Sequence, residues 1–191
     1  MIYDLFSVPF YSSKLKLDNS IIEKYCYEVK KKDKGRVISN EGGWQSNLLE
    51  GYMPELNDLF KEMVIKTNEF ANDIGLVTPL KLSAGWININ GFKDSNIVHN
   101  HPNCLLSTIY YVKTNNKSGQ IEFQNPVMDL MAENVSNETV KEYTNYVSGR
   151  KIISPDNERL FIFPGYLNHY VRPNLSKEDR ISIACNFVRD Y

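Results

Sequence analysis

The spacing of apolar residues changes near residue 80, and this change constrains the fold more than any other feature. Before it, apolar residues recur at every third or fourth position, as in amphipathic helices. After it, they form short alternating runs rich in β-branched and aromatic residues. Clusters of Gly, Pro, Asn and Asp separate these runs, which are Trp86–Asn90, Leu105–Val112, Gln120–Phe123, Arg159–Phe163 and Ile181–Phe187. Several short strands at near-regular spacing are typical of a β-sandwich or a small barrel.

Two helices are predicted ahead of these strands. A cap at Asp18 or Asn19 begins the first, which runs to about Lys32. The second runs from near Pro54 to about Asp73, where a following glycine is a natural stop. We expect the two helices to cover one outer face of the β core.

The chain length of 191 residues suits one domain. We predict a single domain over residues 1–191, with a helical N-terminal support over 1–79 and the β core over 80–191. The polar stretch 127–150 interrupts the strands, and its role is left open. A long insertion of this kind can form a lid over the mouth of a barrel, so we consider that hypothesis for it.

Composition bears on partners and location. Lys and Arg number 22 and Asp and Glu 23, so bulk charge favours neither a nucleic-acid nor a membrane partner. No segment approaches the roughly 18 apolar residues of a membrane span, and no signal-peptide pattern stands at the start. The three cysteines are far apart and odd in number, which is typical of reduced thiols. We therefore expect a cytoplasmic protein.

The sequence contains three histidines, and all lie in two short segments. Side chains two apart on a strand point to the same face, so we expect His99 and His101 to reach one metal ion. The aromatic run Phe161–Phe163 is expected to carry His169 to the same place. Imidazoles suit iron, zinc, copper and nickel. Three ligands on one side of an octahedral ion leave the other side open for a chelating co-substrate and O2.

Arg180 begins the last predicted strand. Alternation places Arg180 and Ser182 on one face and Ile181 and Ile183 on the other. A guanidinium binds a carboxylate through two parallel hydrogen bonds, and a hydroxyl can add one more. On an inward face Arg180 needs an anion, because a buried unpaired charge is costly. The alternation alone leaves open which of the two faces is inside.

The chain from about Trp86 to Phe187 resembles the double-stranded β-helix, or jelly-roll, core of the Fe(II)/2-oxoglutarate oxygenases. It is most similar to the prolyl-hydroxylase-like group and its small phage and marine-bacterial members. The passages that carry the resemblance are HNHPNCLLSTIYYV, SGQIEFQNP, and ERLFIFPGYLNHYVRPN followed by RISIACNF. The resemblance implies a mainly β fold with N-terminal helices and a cytoplasm that is bacterial or that of a phage-infected host.

The resemblance also implies the metal ligands. His99 is the first ligand and His169 the distal one. His101 stands where most of the superfamily has Asp, although the small members carry His-x-His-Pro as this chain does. The resemblance therefore implies a catalytic site of His99, His101 and His169, and it leaves open whether His101 binds the metal or lies beside it.

The co-substrate contacts are implied in the same way. Arg180 and Tyr111 correspond to the residues that bind the far carboxylate of 2-oxoglutarate, and Ser182 corresponds to a secondary contact. Asn88 or Asn90 is expected to hydrogen-bond the end of the co-substrate that chelates the metal.

The implied activity is a hydroxylase that uses Fe(II), 2-oxoglutarate and O2, with ascorbate as a stimulant. The expected substrate is a peptidyl residue such as proline, or a small molecule, with no nucleic-acid or membrane partner. Two alternatives stay open. One is a cupin-type dioxygenase with three histidines and no 2-oxoglutarate, for which Arg180 and Tyr111 have no use. The other is a metal-binding jelly roll without catalysis. The oligomeric state is left open, with a homodimer among the options.

Overall fold

The computed structural model describes residues 1–132, 135–136 and 138–190. Within these ranges the chain forms three α-helices, one 3-10 turn and eleven strands. The helices are α1 (Asn19–Lys32), α2 (Asn57–Asp73), which follows the 3-10 turn Pro54–Leu56, and α3 (Met128–Ala132). The strands are β1 (Tyr11–Lys14), β2 (Asn40–Glu41), β3 (Trp44–Gln45), β4 (Leu80–Asn90), β5 (Ser95–His99), β6 (Leu106–Lys113), β7 (Ile121–Gln124), β8 (Arg150–Ile153), β9 (Arg159–Pro164), β10 (His169–Val171) and β11 (Arg180–Arg189).

The strands of the described ranges form two antiparallel sheets. One has six strands in the order β1-β9-β6-β11-β4-β3, and the other has five in the order β2-β5-β10-β7-β8. The chain crosses repeatedly between them, since β4 and β6 belong to the first sheet while β5 and β7 belong to the second. This architecture confirms the predicted double-stranded β-helix with N-terminal helices.

The six-stranded sheet is buried on both faces. Its outer face packs against α1 and α2, as predicted, and contributes to that core Ile87, Ile89, Tyr110, Val112, Leu160, Ile162, Ile183 and Phe187. Its inner face packs across the space between the sheets, where the apolar residues are Ile109, Tyr111, Ile121, Phe123, Phe161, Phe163, Val171 and Ala184. Adjacent residues of one strand therefore serve two different cores, as the alternation of a strand requires.

The first helix begins where the cap predicts. The Asp18 carboxylate accepts a hydrogen bond from the backbone N–H of Ser20 at 3.0 Å. Asn19 then ties the helix to the sheet. Its amide donates to the Val112 carbonyl at 2.7 Å, and its side-chain oxygen accepts from the Tyr110 hydroxyl at 2.6 Å. The polar start of α1 is thus anchored on β6.

Residues 1–79 contain more than the predicted helices, because β1, β2 and β3 also lie there. These strands have only two to four residues each, which is too short for an alternating pattern to emerge. The domain division itself stays a prediction. Part of the predicted insertion 127–150, at 133–134 and 137, lies outside the described residues, and its role as a lid also stays a prediction. In the described ranges no helix has the length and apolar character that crossing a membrane requires.

Candidate metal centre

The structure brings the three histidines together between the sheets. One ring nitrogen from each of His99, His101 and His169 lies within 4.8 Å of the other two. The ring centroids are 4.3 Å apart for His99 and His169, and 5.1 Å apart for His101 and His169. His101 and His169 are buried, and His99 is half-buried. Three imidazoles at this spacing can hold one metal ion.

A β-bulge turns His99 toward this cluster. His99 is paired with His169, whereas Asn96 is paired with Val171, so two residues of β5 face the single residue Tyr170 of β10. A bulge of this kind re-aims the side chains that follow it. As a result Asn96 and His99, which are three residues apart, both line the same cavity. Strict alternation places residues three apart on opposite faces.

His101 reaches the cluster by a different route from the one predicted. Strand β5 ends at His99, so the two histidines do not share a strand face, and His101 lies on the turn that follows. Its backbone N–H donates to the Gly165 carbonyl at 2.8 Å. The approach needs glycine, because a Cβ at 165 would lie 2.6 Å from the Cys104 carbonyl and 2.9 Å from that of His101.

His169 also departs from the expected path. The aromatic run Phe161–Phe163 belongs to β9 of the six-stranded sheet, whereas His169 begins β10 of the other sheet. The chain crosses between the sheets in the turn after Pro164. The His169 ring then packs edge to face against the ring of Phe163 in β9, with a centroid distance of 4.9 Å. Phe163 therefore packs against the His169 ring, but the strand to which Phe163 belongs does not carry His169.

Hydrogen bonds orient the three rings. The Nδ1 of His99 donates to the Ile97 carbonyl at 2.7 Å, and that of His169 donates to the Leu167 carbonyl at 2.9 Å. A carbonyl can only accept, so the proton is on Nδ1 and the lone pair on Nε2. The Nδ1 of His101 is 2.6 Å from the side-chain oxygen of Asn186. Burial lowers the pKa of all three rings, that of His101 to about 4, so each is neutral at pH 7.

Four buried polar atoms around one cavity have no hydrogen-bond partner among the described residues. They are His101 Nε2, Tyr111 Oη, Asn88 Oδ1 and Arg180 Nη2. Buried polar atoms are nearly always paired in folded proteins, so four unpaired ones around one space indicate a binding site. The cavity is small, about 30 Å³, so the fit of a ligand is judged from these atoms and not from the free volume.

Arg180 points into this cavity, which settles which face of β11 is inside. The residue is 1 % exposed, and burial lowers the pKa of its guanidinium to about 10, so it stays charged at pH 7. Nη1 donates to the carbonyls of Ser118 and Arg172, the latter at 3.0 Å. Nη2 is free to bind an anion. Burial raises the pKa of Tyr111 to about 12, so its hydroxyl is protonated at pH 7 and can donate a hydrogen bond.

Of the other predicted co-substrate contacts, two line the cavity and one does not. Asn88 and Ser182, which pair across β4 and β11, both line the cavity. Asn90 does not line it, although its side chain is buried, and its backbone carbonyl accepts from the Asn174 amide at 2.9 Å. Asn90 lies two residues farther along β4 than Asn88 and pairs with Arg180.

Sequence reasoning missed several residues of the site. Asn186 and Ser107 contact His101, Trp86 lies with its ring 5.5 Å from that of His101, and Asn96 lines the cavity. Asn186 carried a usable signal, since it shares the alternating face of Arg180 and Ser182. The other three carried none, because their inward orientation follows from strand register.

A groove of about 380 Å³ lies beside the histidines. The segment before β1 forms one wall, and the stretch from Asn145 to Lys151 forms another. The carboxylate of Asp4, on the opposite wall, raises the pKa of Tyr146. The floor includes Phe123, whose ring is 5.8 Å from that of His169, and Leu167, whose carbonyl orients His169.

Comparison with known proteins supplies a family. The sequence model of the 2OG-Fe(II) oxygenase family matches residues 84–186, more than half of the chain. A search of curated proteins gave no match.

Solved structures share the fold at low identity. A prolyl-4-hydroxylase of Pseudomonas putida is 11 % identical with a TM-score of 0.66, covering 97 % of this chain and 95 % of its own. A prolyl hydroxylase of Trichoplax adhaerens, in complex with a hypoxia-inducible-factor peptide, is 14 % identical with a TM-score of 0.64, covering 94 % and 83 %. HygX of Streptomyces hygroscopicus, with nickel, 2-oxoglutarate and hygromycin B, is 12 % identical with a TM-score of 0.63, covering 96 % and 84 %.

Proposed function

This chain belongs to the 2OG-Fe(II) oxygenase family, and from that premise we propose that His99, His101 and His169 hold its Fe(II), each through Nε2. We propose that Arg180 and Tyr111 bind the far carboxylate of 2-oxoglutarate, with Ser182 beside them. Asn88 is the candidate for a contact to the end that chelates the metal. With both bound, the site couples decarboxylation of 2-oxoglutarate to succinate and CO2 with transfer of one O2 oxygen into a substrate C–H bond.

The observation that carries this proposal is the set of four unpartnered polar atoms around one cavity. Three of the four match the two proposed ligands by charge. His101 Nε2 is a neutral lone pair, which suits a metal ion. Arg180 Nη2 and Tyr111 Oη are donors, one of them cationic, and these suit a carboxylate. The residues of this chain therefore bind, orient and shield the reactants.

A three-histidine dioxygenase without 2-oxoglutarate accounts for the metal ligands but not for Arg180. A guanidinium that is 1 % exposed, with one nitrogen unpaired, costs stability unless an anion arrives. A non-catalytic jelly roll leaves the same charge unexplained. The position of Arg180 therefore favours the 2-oxoglutarate-dependent reaction.

We propose further that the substrate is a residue of a peptide, which the groove beside the histidines binds. Strand β8 is the edge of the five-stranded sheet in the described ranges, so its outer backbone groups can pair with an extended chain. Aromatic and amide side chains line the groove, among them Phe6, Phe10, Gln124 and Tyr146. Such a surface binds side chains and backbone together.

The co-substrate assignment is tested with the purified protein, Fe(II), ascorbate and 2-oxoglutarate. We expect slow succinate release without substrate, and calorimetric binding of 2-oxoglutarate to the Ni(II)-loaded protein. Arg180→Ala should abolish both. The control is Lys81→Ala, which removes an exposed cation that pairs with Asp190. Absence of both succinate release and 2-oxoglutarate binding from the wild type would overturn the assignment.

The peptide assignment is tested by mass spectrometry on peptides with and without proline, each incubated with the Fe(II) protein, 2-oxoglutarate and O2. We expect addition of one oxygen atom to peptides, and a raised KM for Tyr146→Ala with unchanged succinate release in the absence of peptide. Tyr52→Ala, at a tyrosine 89 % exposed and outside the groove, is the control. If no peptide is oxidised while small molecules are, the peptide assignment is wrong.

A further inference from the structure

His101 is held differently from the other two histidines. The rings of His99 and His169 each donate to a main-chain carbonyl two residues earlier, which the backbone itself provides. The Nδ1 of His101 instead meets two side chains from distant strands. It is 2.6 Å from Asn186 Oδ1 and 2.7 Å from Ser107 Oγ. Its orientation therefore depends on side chains that a single substitution can remove.

The three groups form a closed triangle. The Ser107 hydroxyl donates to Asn186 Oδ1 at 2.6 Å, and the two residues face each other across β6 and β11. In the structure the amide oxygen of Asn186, and not its NH2, points toward both the Ser107 hydroxyl and the His101 ring. An amide oxygen can only accept, so the proton of His101 is on Nδ1. The lone pair is then on Nε2, the buried atom that has no partner among the described residues.

The opposite amide orientation has the opposite consequence. If the NH2 of Asn186 pointed at the ring, it would donate to Nδ1 and the proton would move to Nε2. Nε2 could then bind no metal without losing that proton. Isolated neutral imidazole carries its proton on either nitrogen, so a protein contact must select one.

We propose that Asn186 is a positioning residue that selects the Nδ1–H tautomer of His101, and that Ser107 holds the Asn186 amide in the required orientation. The proposal rests on the metal site proposed above. It assigns to β11 a second role, the orientation of His101, beside the proposed binding of 2-oxoglutarate by Arg180. Arg180 lies at one end of the inward row of this strand and Asn186 lies near the other, with Ser182 and Ala184 between them.

The direct test needs neither metal nor substrate. Long-range 1H–15N NMR on metal-free protein with 15N-labelled histidine, at pH 7.5, reports which nitrogen carries the proton. We expect the Nδ1–H form for His101 in the wild type and in Asn186→Asp, which keeps an acceptor. In Asn186→Leu, which has a similar size and no acceptor, we expect the Nε2–H form to become populated. A wild-type His101 with its proton on Nε2 would overturn the proposal.

Metal affinity gives the second readout. Calorimetry with Ni(II) should show binding roughly 10- to 100-fold weaker for Asn186→Leu, the usual effect of losing a partner that orients a ligand. Asn186→Asp should stay near the wild type, and Ser107→Ala should fall between them. Thr108→Val is the matched control, because it removes a buried hydroxyl that bonds the Cys185 carbonyl on the other face of the same strand pair. Its Ni(II) affinity should be unchanged.

The outcomes of these tests can be separated from those of the proposed function. If the wild type has the Nδ1–H tautomer and Asn186→Leu weakens Ni(II) binding, the proposal stands even when no succinate is released. If Asn186→Leu does not fold, Ser107→Ala and the wild-type tautomer decide. Equal Ni(II) affinity for the wild type and a folded Asn186→Leu would refute it.

Discussion

The two faces of β11 are both largely buried, but they carry side chains of different chemistry. The outward residues Ile181, Ile183, Cys185 and Phe187 are fully buried against the helical side. The inward row holds Arg180, Ser182, Ala184 and Asn186, of which three are polar. The outer face stabilises the fold through apolar burial. The inner face carries groups whose contacts are incomplete in the protein alone.

That difference has a cost in free energy. A buried donor or acceptor without a partner costs about 1–3 kcal/mol, more when it is charged. The unpartnered atoms of Tyr111 and Arg180 face the cavity between the sheets, and none of the unpartnered buried atoms of the described ranges belongs to the outward row of β11. Substitutions on the outer face should therefore reduce stability and spare binding, while those on the inner face should do the reverse.

The largest effect is expected for His169→Ala. His169 lies on β10 and lines the same cavity as the inward residues of β11. Wild-type protein should be stabilised by Ni(II), because a ligand that binds only the folded state raises the melting temperature. Loss of one of three ligands should abolish that rise. Thermal unfolding with and without Ni(II) measures it. A variant that keeps the wild-type shift would show that His169 is not a ligand.

Arg180→Met separates the two functions of the inner face. Removal of a buried cation that binds a carboxylate should weaken 2-oxoglutarate binding to the Ni(II)-loaded protein by about 100-fold, since such losses cost roughly 2–5 kcal/mol. Ni(II) affinity should not change.

The same substitution should leave the melting temperature of the free protein near the wild-type value, because removal of a buried charge is offset by loss of the Nη1 hydrogen bonds to the Ser118 and Arg172 carbonyls. Calorimetry and thermal unfolding give all three quantities. A fall in melting temperature with intact 2-oxoglutarate binding would assign Arg180 to the fold instead of the site.

The fold was predictable because its signal is local. The change of period near residue 80 marks where helices give way to strands, and the capping residue at Asp18 marks where α1 begins. What alternation could not reveal is the inward face of β11. Ile181 and Ile183 alternate with Arg180 and Ser182, and the sheet is covered by helices on one side and by a second sheet on the other. Both faces are therefore buried, and burial cannot distinguish them.

The site was predictable only in part, for a related reason. The histidines were identifiable because the chain has no others. Their convergence depends on a bulge in β5, a glycine-dependent turn after it, and a crossover between sheets before His169. None of these has a periodic signature. The pairing of Asn186 with Ser107 depends on the register of two strands 79 positions apart in sequence, which the sequence does not encode locally.

Ile183→Ala tests the outer face. The residue is fully buried between β11 and the helices, so its truncation should lower the free energy of unfolding by about 2–5 kcal/mol. Affinities for Ni(II) and 2-oxoglutarate should be unchanged, because the side chain points away from the cavity. Urea unfolding and calorimetry on the same samples measure both. A folded variant with weakened Ni(II) binding would show that the two faces are coupled.

The smallest effect concerns a polar group that is fully partnered, on the outside of the five-stranded sheet. Glu122 is buried and accepts hydrogen bonds from the Tyr170 hydroxyl at 2.6 Å and from Arg172 Nη2 at 2.7 Å, with Arg150 Nη1 at 3.2 Å. Burial by itself would raise the pKa of this carboxyl. The donors outweigh burial, and the pKa is lowered from its ordinary value of 4.5.

A carboxyl whose pKa is lower in the folded state stabilises the protein above its unfolded pKa, and that contribution is lost as the pH falls through the folded pKa. Glu122→Gln should therefore lower the free energy of unfolding at pH 7 by about 1–3 kcal/mol, and the difference from wild type should shrink below pH 4.5. Ni(II) affinity at pH 7 should be unchanged. Urea unfolding at both pH values measures the effect. A difference in unfolding free energy that is independent of pH would mean that Glu122 acts through packing and not through its charge. A change in Ni(II) affinity would mean that Glu122 also affects the metal site between the sheets.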